Sequence, residues 1–402
     1  MFLRLEGCCW RGWGVEVSSS GRKRWLIVSV CVAWAMISVH PIWKYLSHAE
    51  ASGVLMLGLV MIVLGMLGLD RLKRRQRQIG FGWFVILFVV LAVAFAVLYP
   101  ISLRHQLNAG SDREDALRVE LDAVVHHRYP YDARTFLSNP PTPLPGAMLL
   151  AAPFFAIGHI GWQNLFWLAL FFCFAIRFFD YRATALLFLT VFLLLAPANL
   201  SDLTAGGDYL ANFFYFSIAV ALFTRSLGCS YYVCIPAALF LGVTLSSRVV
   251  YGFALIPLLA LTLQRTSRFR TVVLFAAVLA GAAAVTLPIL APHLLTHLVG
   301  LFSQNSAKLR YVPGMLHARW TLPLLAVIAS SAAFFRRMDL PRFFLIFSIA
   351  SFIVLVPSVA SLALYSERLR TVLSYLSICT LSFSLWALSR YERLEAVEDL
   401  AG

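Results

Sequence analysis

Six carboxylates lie within one 21-residue window of a chain that has only 19 acidic residues in all. They are Asp112, Glu114, Asp115, Glu120, Asp122 and Asp132. A positioned carboxylate can accept a proton as a general base, bind the hydroxyl groups of a polar ligand, or hold a metal ion. The window follows an apolar run that ends at Tyr99-Pro100, and a carboxylate so close to a long apolar helix is a functional-site hypothesis by default.

The window reads as an amphipathic helix. Ser111-Asp112-Arg113-Glu114 matches the capping box, in which the Ser and Glu side chains bond each other's backbone amides, and it predicts a helix from Asp112. At about 100° per residue, one face carries acids and the opposite face is apolar. The acidic face comprises Asp112, Asp115, Val119 and Asp122, and the apolar face comprises Leu117, Leu121, Val124 and Val125. We expect the helix to lie flat on a membrane, with its acids toward water or a cavity.

The six acids divide into groups with different explanations. Glu114 is accounted for by the capping box, and Glu120 and Asp122 are predicted to lie on a solvated face. Asp112 and Asp115 are the candidates for chemistry, because they stand near the end of the preceding apolar run. The alternative for these two is a structural one, since carboxylates in a first helical turn stabilise the helix through its dipole.

Composition defines the surroundings of this helix. The 402 residues are 60% hydrophobic and 13% charged, with a mean hydropathy of +0.81, against about 45–50% and about 25% in soluble domains. The chain is therefore predicted to be a membrane protein. The net charge of +14 comes from short basic clusters between apolar runs, which is the orientation signal of a polytopic protein rather than a nucleic-acid-binding surface. The seven cysteines show neither metal spacing nor a disulfide framework.

The apolar runs predict an all-α polytopic protein with twelve transmembrane helices. They are residues 25–43, 51–69, 81–101, 162–179, 184–199, 209–224, 231–247, 249–263, 271–290, 320–335, 343–362 and 369–387. A further apolar segment, 143–158, is short and begins with prolines, and counting it as a span would place most of the later Lys and Arg outside. We therefore predict an interfacial or re-entrant helix there, on the outer face. Residues 1–24 and 388–402 become cytoplasmic tails, residues 25–387 form one transmembrane domain, and the plasma membrane is the predicted location.

This topology leaves outer loops at 102–142 and 291–319, with a short one at 200–208. The nine histidines fall on or near the outer face, where amphipathic rings anchor a protein in the headgroup layer. His293 and His297 have helical i, i+4 spacing, so a metal pair is the alternative interpretation.

The order of motifs resembles the GT-C superfamily of integral-membrane glycosyltransferases. An external acidic motif, DREDA (112–116), is followed by Tyr-Pro-Tyr (129–131), by Pro140-Pro141 and by the interfacial run PGAMLLAAPFFAIG. An arginine pair at 177 and 182 precedes a second external acidic motif, SDLTAGGDYLAN (201–212). The resemblance covers roughly residues 80–260. The acids of the first motif are interleaved with Arg113, whereas many relatives carry adjacent acids followed by an aromatic.

The resemblance implies an inverting transfer of sugar from a polyprenyl-phosphate donor to a glycan, lipid or protein acceptor outside the cytoplasm. It implies that Asp112 or Asp115 is the catalytic carboxylate, and that Asp208, with Asp202 as a less certain neighbour, lies in the substrate site. Tyr129 and Tyr131 are carried over as substrate-binding residues. Asp202 and Asp208 could hold sugar hydroxyls or a divalent metal ion, or they could cap the loop at Gly206-Gly207.

A lipid-phosphate leaving group needs cations or a metal ion to stabilise its charge. The candidate cations on the predicted outer face are Arg248, Lys308, Arg310, Arg368 and Arg370. For each of them, anchoring at the membrane surface is the alternative role. Two other functional classes stay open at this point: a transporter or flippase of a lipid-linked sugar, and a non-catalytic membrane scaffold.

Overall fold

The computed structural model describes residues 19–74, 79–105, 112–291, 294–306, 309, 312, 317–365 and 373–398. Within these ranges the chain is helical and contains no β-strand, which confirms the all-α fold class. The described residues form sixteen α-helices, joined in places by short 3-10 or π-helical turns. They are α1 (Ser19–Tyr45), α2 (His48–Arg74), α3 (Gly82–His105), α4 (Arg113–Val125), α5 (Pro145–Ala156), α6 (Gln163–Phe178), α7 (Arg182–Leu189), α8 (Pro197–Thr204), α9 (Asp208–Ser226), α10 (Tyr231–Leu245), α11 (Leu255–Arg265), α12 (Arg268–Leu290), α13 (Leu294–Ser306), α14 (Ala318–Ser331), α15 (Leu340–Tyr365) and α16 (Ser377–Glu398).

Six helical segments of the described chain are long and apolar enough to cross a membrane, which indicates a membrane-embedded protein. They are His48–Leu69, Gly82–Leu103, Ile160–Phe178, Arg268–Leu290, Ala318–Phe335 and Leu340–Ala360. A seventh candidate is a broken span, in which Arg182–Leu194 and Pro197–Thr204 meet at an angle of 72°. The break follows a π-helical turn at Thr190–Leu194 and falls at Pro197, which lacks the N–H that would continue the helix.

The predicted number of twelve spans is not confirmed, although each predicted span overlaps a helix. α10 has 15 residues, about 22 Å of helix, which is short of a hydrocarbon core of about 30 Å. α9 is long enough but carries buried polar residues, among them Asp208, Asn212 and Ser217. Other helices enclose α9 and contact it on several sides, including α6, α8, α10 and α16. A helix so enclosed does not need the uniformly apolar surface that contact with lipid requires.

The main core forms around α9. Aromatic rings supply much of it, with Phe171 of α6 stacked on Phe214 of α9 at 4.4 Å between ring centres, and Phe216 stacked on Tyr251 at 4.3 Å. Outside this centre, α10 and α12 approach closely at two glycines. A methyl group on Gly242 would overlap the carbonyl oxygen of Val278 on the opposite helix. Small residues at such a crossing let two backbones come into contact.

A second, smaller apolar cluster attaches α4 to α5 and α12. Leu117 and Leu121 of α4 are buried in it beside Met148 of α5 and Leu290 of α12, as expected for the apolar face of α4. Val124 and Val125, further along the predicted apolar face, are exposed, and Val124 lines an apolar groove together with Leu121. α5 occupies the ambiguous segment 143–158 and has 12 residues, about 18 Å of helix, which is too short to cross a bilayer.

Contacts between connecting segments show which of them share an end of the bundle. Arg225 donates a hydrogen bond of 2.8 Å to the carbonyl of Arg177, and Gln264 donates one of 2.8 Å to that of Arg336. Both contacts join segments that the prediction places inside. At the other end Arg248 donates to Thr142 at 2.8 Å, which joins two segments predicted outside. Which end faces the cytoplasm stays a prediction.

Candidate functional site

The first ion pair of the site joins α4 to the end of the broken helix. Arg113, the first residue of α4, pairs with Asp202 of α8. Both side chains are largely buried, with 17% of Arg113 and 4% of Asp202 exposed. The second carboxylate oxygen of Asp202 accepts a hydrogen bond of 3.0 Å from the amide of Leu210, in the first turn of α9. The pair therefore joins α4 to α8 and, through Leu210, to α9. Removing either partner would leave an uncompensated charge in the interior.

Hydrogen bonds and a glycine fix the loop between α8 and α9 in a conformation on which α4 packs. The side-chain amide of Asn164 donates to the carbonyls of Leu203 at 3.1 Å and Gly207 at 2.9 Å. Gly206 has a φ of +71°, the left-handed region that glycine adopts without strain. A methyl group at Gly206 would also collide with the carboxylate of Glu114. Gly206 therefore allows α4 to pack directly on this loop.

The second ion pair joins α9 to the segment after α10. Arg248 pairs with Asp208, the first residue of α9, whose side chain is fully buried. Arg248 also donates to the hydroxyl of Thr142 at 2.8 Å, and the same oxygen of Asp208 accepts from the side-chain amide of Asn212 at 3.0 Å. The N-terminal end of a helix favours a carboxylate through the helix dipole. Two residues predicted for the site, Asp208 and Arg248, are thus in direct contact.

The ring of Tyr209 brings the two pairs together. The guanidinium carbon of Arg113 lies 4.3 Å from the ring centre, and that of Arg248 lies 4.6 Å from the same point. The ring of Tyr375 meets Tyr209 edge-on at 5.0 Å and lies 5.5 Å from Arg113. A tyrosine face attracts a cation by its quadrupole, and this attraction is stronger away from water. Two guanidinium groups from distant parts of the chain therefore contact the same buried aromatic ring.

Glu120 belongs to this cluster, and the prediction of a solvated face for it is wrong. Its side chain is fully buried in α4, and neither carboxylate oxygen has a hydrogen-bond partner within the described chain. Burial raises the pKa of this carboxyl well above its usual range, while the nearby Arg248 lowers it in part. The Tyr131 hydroxyl, whose pKa is raised by burial and by Glu120, is likewise buried without a described partner. Both groups are buried polar side chains close to the charge of Arg248.

Asp112 and Asp115 lie beside this cluster and hold a neighbouring turn. One oxygen of Asp112, Oδ2, accepts hydrogen bonds from the Thr135 hydroxyl at 2.9 Å and from the Asn139 side-chain amide at 2.8 Å. Oδ2 of Asp115 accepts from the amide of Phe136 at 2.8 Å. Both carboxylates are partly exposed and oriented through a single oxygen each. Asp112 directly precedes Arg113, so it stands next to the first ion pair in the chain.

Glu114, predicted to form a capping box with Ser111, makes contacts with α3 and within α4. Ser111 lies outside the described residues, and Asp112 makes no side-chain capping bond to α4. The carboxylate of Glu114 instead accepts hydrogen bonds from the Tyr99 hydroxyl at 2.9 Å and from Arg118 at 2.7 Å. Burial raises the pKa of Glu114, and these two donors lower it in part. Glu114 thus connects α4 to the end of α3. Asp122 faces solvent with about half of its side chain, 48%, and pairs with Arg128 at 2.8 Å.

Tyr129 and Tyr131 are neighbours, with ring centres 5.5 Å apart. Tyr129 stacks on the ring of His297 at 3.7 Å, which connects the acidic loop to α13. Burial raises the pKa of Tyr129 to about 12, and the nearby Asp132 raises it as well. Only Tyr131 also neighbours Glu120 and Arg248, so of the two tyrosines it is the one that joins the charged cluster.

Several predicted residues cannot be placed. Lys308, Arg310, Arg368, Arg370 and His293 lie outside the described residues. Among the residues that the structure does describe, no three His, Cys, Asp or Glu side chains group as metal ligands. Asp202 and Asp208 each face a guanidinium group, whose positive charge opposes a divalent cation at the same oxygens. The arrangement therefore does not fit a metal ion held by these two aspartates.

Sequence reasoning missed four members of the cluster: Arg113, Glu120, Tyr209 and Tyr375. The signal for Arg113 is its position, since it is the one basic residue within the acidic motif DREDA. Tyr209 directly follows Asp208, and an aromatic residue beside a candidate charge is a usable signal. Nothing local distinguishes Glu120 from Asp122, because only the packing of α4 decides which of them is buried.

An apolar groove lies next to the cluster, between α4, α5 and α12. Its volume is about 270 Å³, and its lining includes Leu121, Met148, Leu149 and Val285. Leu121 directly follows Glu120 along α4. An apolar groove beside a buried charged cluster suits an amphiphilic ligand that has a polar head and an apolar chain.

The chain was compared with protein-family models, curated proteins and solved structures, and none of the three comparisons found a match.

Proposed function

We propose that the chain is an inverting glycosyltransferase of the plasma membrane, which transfers a sugar from a polyprenyl-phosphate donor to an acceptor at the outer face. The observation that carries the proposal is the convergence of Arg113 and Arg248 on Tyr209. Guanidinium groups bind phosphate oxygens through paired N–H donors. A lipid phosphate is the leaving group of this reaction, so two guanidinium groups held at one aromatic ring provide the kind of cations that the chemistry needs.

In the proposed step, an acceptor hydroxyl oxygen forms a bond to the anomeric carbon as the bond from that carbon to the phosphate oxygen breaks. The electron pair of the broken bond leaves with the lipid phosphate, whose developing charge Arg113 and Arg248 stabilise. The acceptor proton passes to a carboxylate acting as general base. Attack from the side opposite the leaving group inverts the anomeric configuration. Asp112 is the first candidate for the base and Asp115 the second.

The contacts of Asp112 are compatible with this role. Thr135 and Asn139 both donate to its Oδ2, so these bonds orient the carboxylate while Oδ1 stays available to accept a proton. The apolar groove between α4, α5 and α12 is suited to the first isoprenoid units of the donor. The acceptor, whether glycan, lipid or protein, would approach from the exposed side of α4.

The proposal is tested by transfer from radiolabelled polyprenyl-phosphate sugars to membrane acceptors, using the purified protein in vesicles. Asp112→Asn is expected to lower the transfer rate by about 10²–10⁴-fold, the usual contribution of a general base. Asp122→Asn is the matched control, because Asp122 lies on the same helix but pairs with Arg128 instead of bonding Thr135 and Asn139. It is expected to transfer sugar at the wild-type rate. A normal rate in the double variant D112N/D115N would contradict both candidates for the base.

The broken helix favours one other function, a transporter or flippase of a lipid-linked sugar. Helices interrupted in mid-span form the binding sites of many transporters, and here the 72° break leads directly to Asp202. The two functions differ in a single assay with fluorescent and radiolabelled lipid-linked sugars in the same vesicles. Movement of lipid across the bilayer without transfer from any donor would favour the transporter.

A further inference from the structure

A basic cleft lies at the opposite end of the bundle from Tyr209, between two segments that the prediction places inside. It forms where the C-terminal end of α11 meets the turn between α14 and α15, and its volume is about 540 Å³. Its lining contains Arg265, Arg336 and Arg337 and no acidic residue from the described part of the chain. A cleft with this charge selects for an anion.

Gln264 fixes the turn that carries two of these arginines. Its side-chain nitrogen donates to the carbonyl of Arg336 at 2.8 Å, and its side-chain oxygen accepts from the amide of Met338 at 2.8 Å. A glutamine that bonds the backbone in both directions holds the two sides of the turn at a set distance. The guanidinium groups of Arg336 and Arg337 are therefore carried on a fixed turn, and both residues are exposed.

The acid that follows the turn in sequence does not neutralise these arginines. Asp339 accepts a hydrogen bond from the amide of Arg342 at 2.8 Å, and its other oxygen accepts from Arg393 at 3.3 Å. Arg393 also lies 3.6 Å from Asp180. These contacts occupy Asp339, so the positive charge of the cleft stays available to a ligand.

Exposed aromatic rings border the cleft. Phe334 and Phe335 line it with 44% and 86% of their surfaces exposed, and they end the apolar segment Ala318–Phe335. The end of a spanning helix lies near the lipid headgroups, where an exposed apolar ring contacts the adjoining acyl chains. A soluble anion would bring nothing to cover these rings, whereas a phospholipid brings acyl chains beside its phosphate.

We propose that this cleft binds an anionic phospholipid of the membrane leaflet, with its phosphate between Arg336 and Arg337 and its acyl chains beside Phe334 and Phe335. Arg265, which donates to the carbonyl of Met338 at 3.5 Å, completes the basic lining. The site is separate from the cluster around Tyr209 and does not depend on the function proposed for that cluster.

The test measures binding of phosphatidylglycerol and phosphatidylcholine to the purified full-length protein by native mass spectrometry. Phosphatidylglycerol is expected to bind more tightly, and R336A/R337A is expected to weaken its binding by about 30-fold, from about five- to sixfold per arginine. Arg390→Ala is the matched control, because Arg390 is exposed, lies in a segment predicted inside and does not line the cleft. It is expected to bind phosphatidylglycerol like the wild type.

Equal binding of the two lipids to the wild-type protein would overturn the proposal, as would an equal loss in Arg390→Ala and in R336A/R337A. Glycerol phosphate, the headgroup without acyl chains, identifies the source of the anion. If it displaced phosphatidylglycerol at an equal concentration, the cleft would be a site for soluble phosphate. Should R336A/R337A fail to fold, the melting temperature of the wild-type protein is measured with each lipid, because a ligand that binds the folded state raises it. A larger increase with phosphatidylglycerol than with phosphatidylcholine would support the proposal, and equal increases would overturn it.

Discussion

Arg113 pairs with Asp202, a residue 89 positions further along the chain. The contact joins the two acidic motifs, which are separated in sequence by three helices and a break. It also explains why a basic residue interrupts the acids of the first motif. A lone run of carboxylates could not have met a second acidic loop without repulsion, and Arg113 supplies the opposite charge.

Arg113→Ala is expected to lower the free energy of unfolding by about 3–5 kcal/mol, because Asp202 would keep its buried charge without a partner. Arg128→Ala is the matched control, since it removes an arginine that pairs with Asp122 at the other end of α4. That pair is 64% and 48% exposed, and its loss is expected to cost less than about 1 kcal/mol. Chemical unfolding in detergent measures the free energy of unfolding of both variants. Equal decreases in Arg113→Ala and Arg128→Ala would contradict the larger contribution expected from the pair of Arg113 and Asp202.

The sequence was informative wherever a local pattern decides the structure. The capping-box pattern and the helical spacing of acidic and apolar positions predicted a helix at α4, and Leu117 and Leu121 of its apolar face are buried. The same pattern could not place Glu120, because its burial depends on residues outside α4, among them Tyr131, Asp208 and Arg248. Candidate charges Asp208 and Arg248 were named separately, but their pairing is a tertiary contact that no spacing within either segment encodes.

The predicted number of spans is not confirmed, for a related reason. Hydropathy reports how apolar a segment is, and it does not report whether lipid or protein surrounds the segment. α9 carries Asp208 and Asn212 because protein encloses it, and the predicted span 184–199 breaks at Pro197 into helices that turn by 72°. Clear apolar helices such as α3 and α15 were predicted within a few residues of their observed bounds.

Glu120 gives a prediction that depends on pH. In the unfolded chain its carboxyl ionises near the usual glutamate value, whereas burial raises its pKa in the folded chain. Between the two values the folded state binds more protons, so the free energy of unfolding falls as pH rises. Glu120→Gln removes this loss, because glutamine does not ionise. The variant is expected to melt at the wild-type temperature at about pH 4 and above it at about pH 8.

Thermal unfolding of the Glu120→Gln protein across this range checks the expectation, with Asp122→Asn as the exposed control on the same helix. An increase of the same size at both pH values would show that the effect is packing rather than ionisation. Sugar transfer by Glu120→Gln is a separate readout. A wild-type rate together with a raised melting temperature would restrict Glu120 to a structural role.

Glu392 is a second buried acid, at the opposite end of the bundle. Its side chain is 1% exposed, and Oε1 accepts a hydrogen bond of 3.0 Å from the amide of Asp180. Burial raises its pKa from 4.5 to about 7, although the bond from Asp180 lowers it in part. The folded chain therefore keeps a proton that the unfolded chain loses from about pH 4.5 upward, and stability falls between there and about pH 7.

Glu392→Gln keeps the acceptor for the Asp180 amide and removes the ionisation. It is expected to be more stable than the wild type at about pH 8, by on the order of 3 kcal/mol, and equally stable at about pH 4. Unfolding curves at closely spaced pH values measure the window. A wild-type curve that is flat between these limits would mean that the Glu392 carboxyl is ionised in the folded protein with no penalty.

The crossing of α10 and α12 yields a prediction from steric contact alone. A methyl group at Gly281 would overlap the backbone of Leu239, just as one at Gly242 would overlap that of Val278. Gly242→Ala and Gly281→Ala are each expected to destabilise the protein by about 3 kcal/mol, the upper end for overpacking, because backbone atoms cannot move aside as a side chain can.

Gly53, within α2, is the matched control, because no atom lies within 4 Å of the position where a methyl group would be added. Gly53→Ala is expected to stabilise the protein by about 0.5–1 kcal/mol, since alanine loses less backbone freedom in a helix. A lower melting temperature in Gly242→Ala and Gly281→Ala together with a higher one in Gly53→Ala would confirm the close approach at the helix crossing. A lower melting temperature in all three variants would mean that glycine is required for another reason.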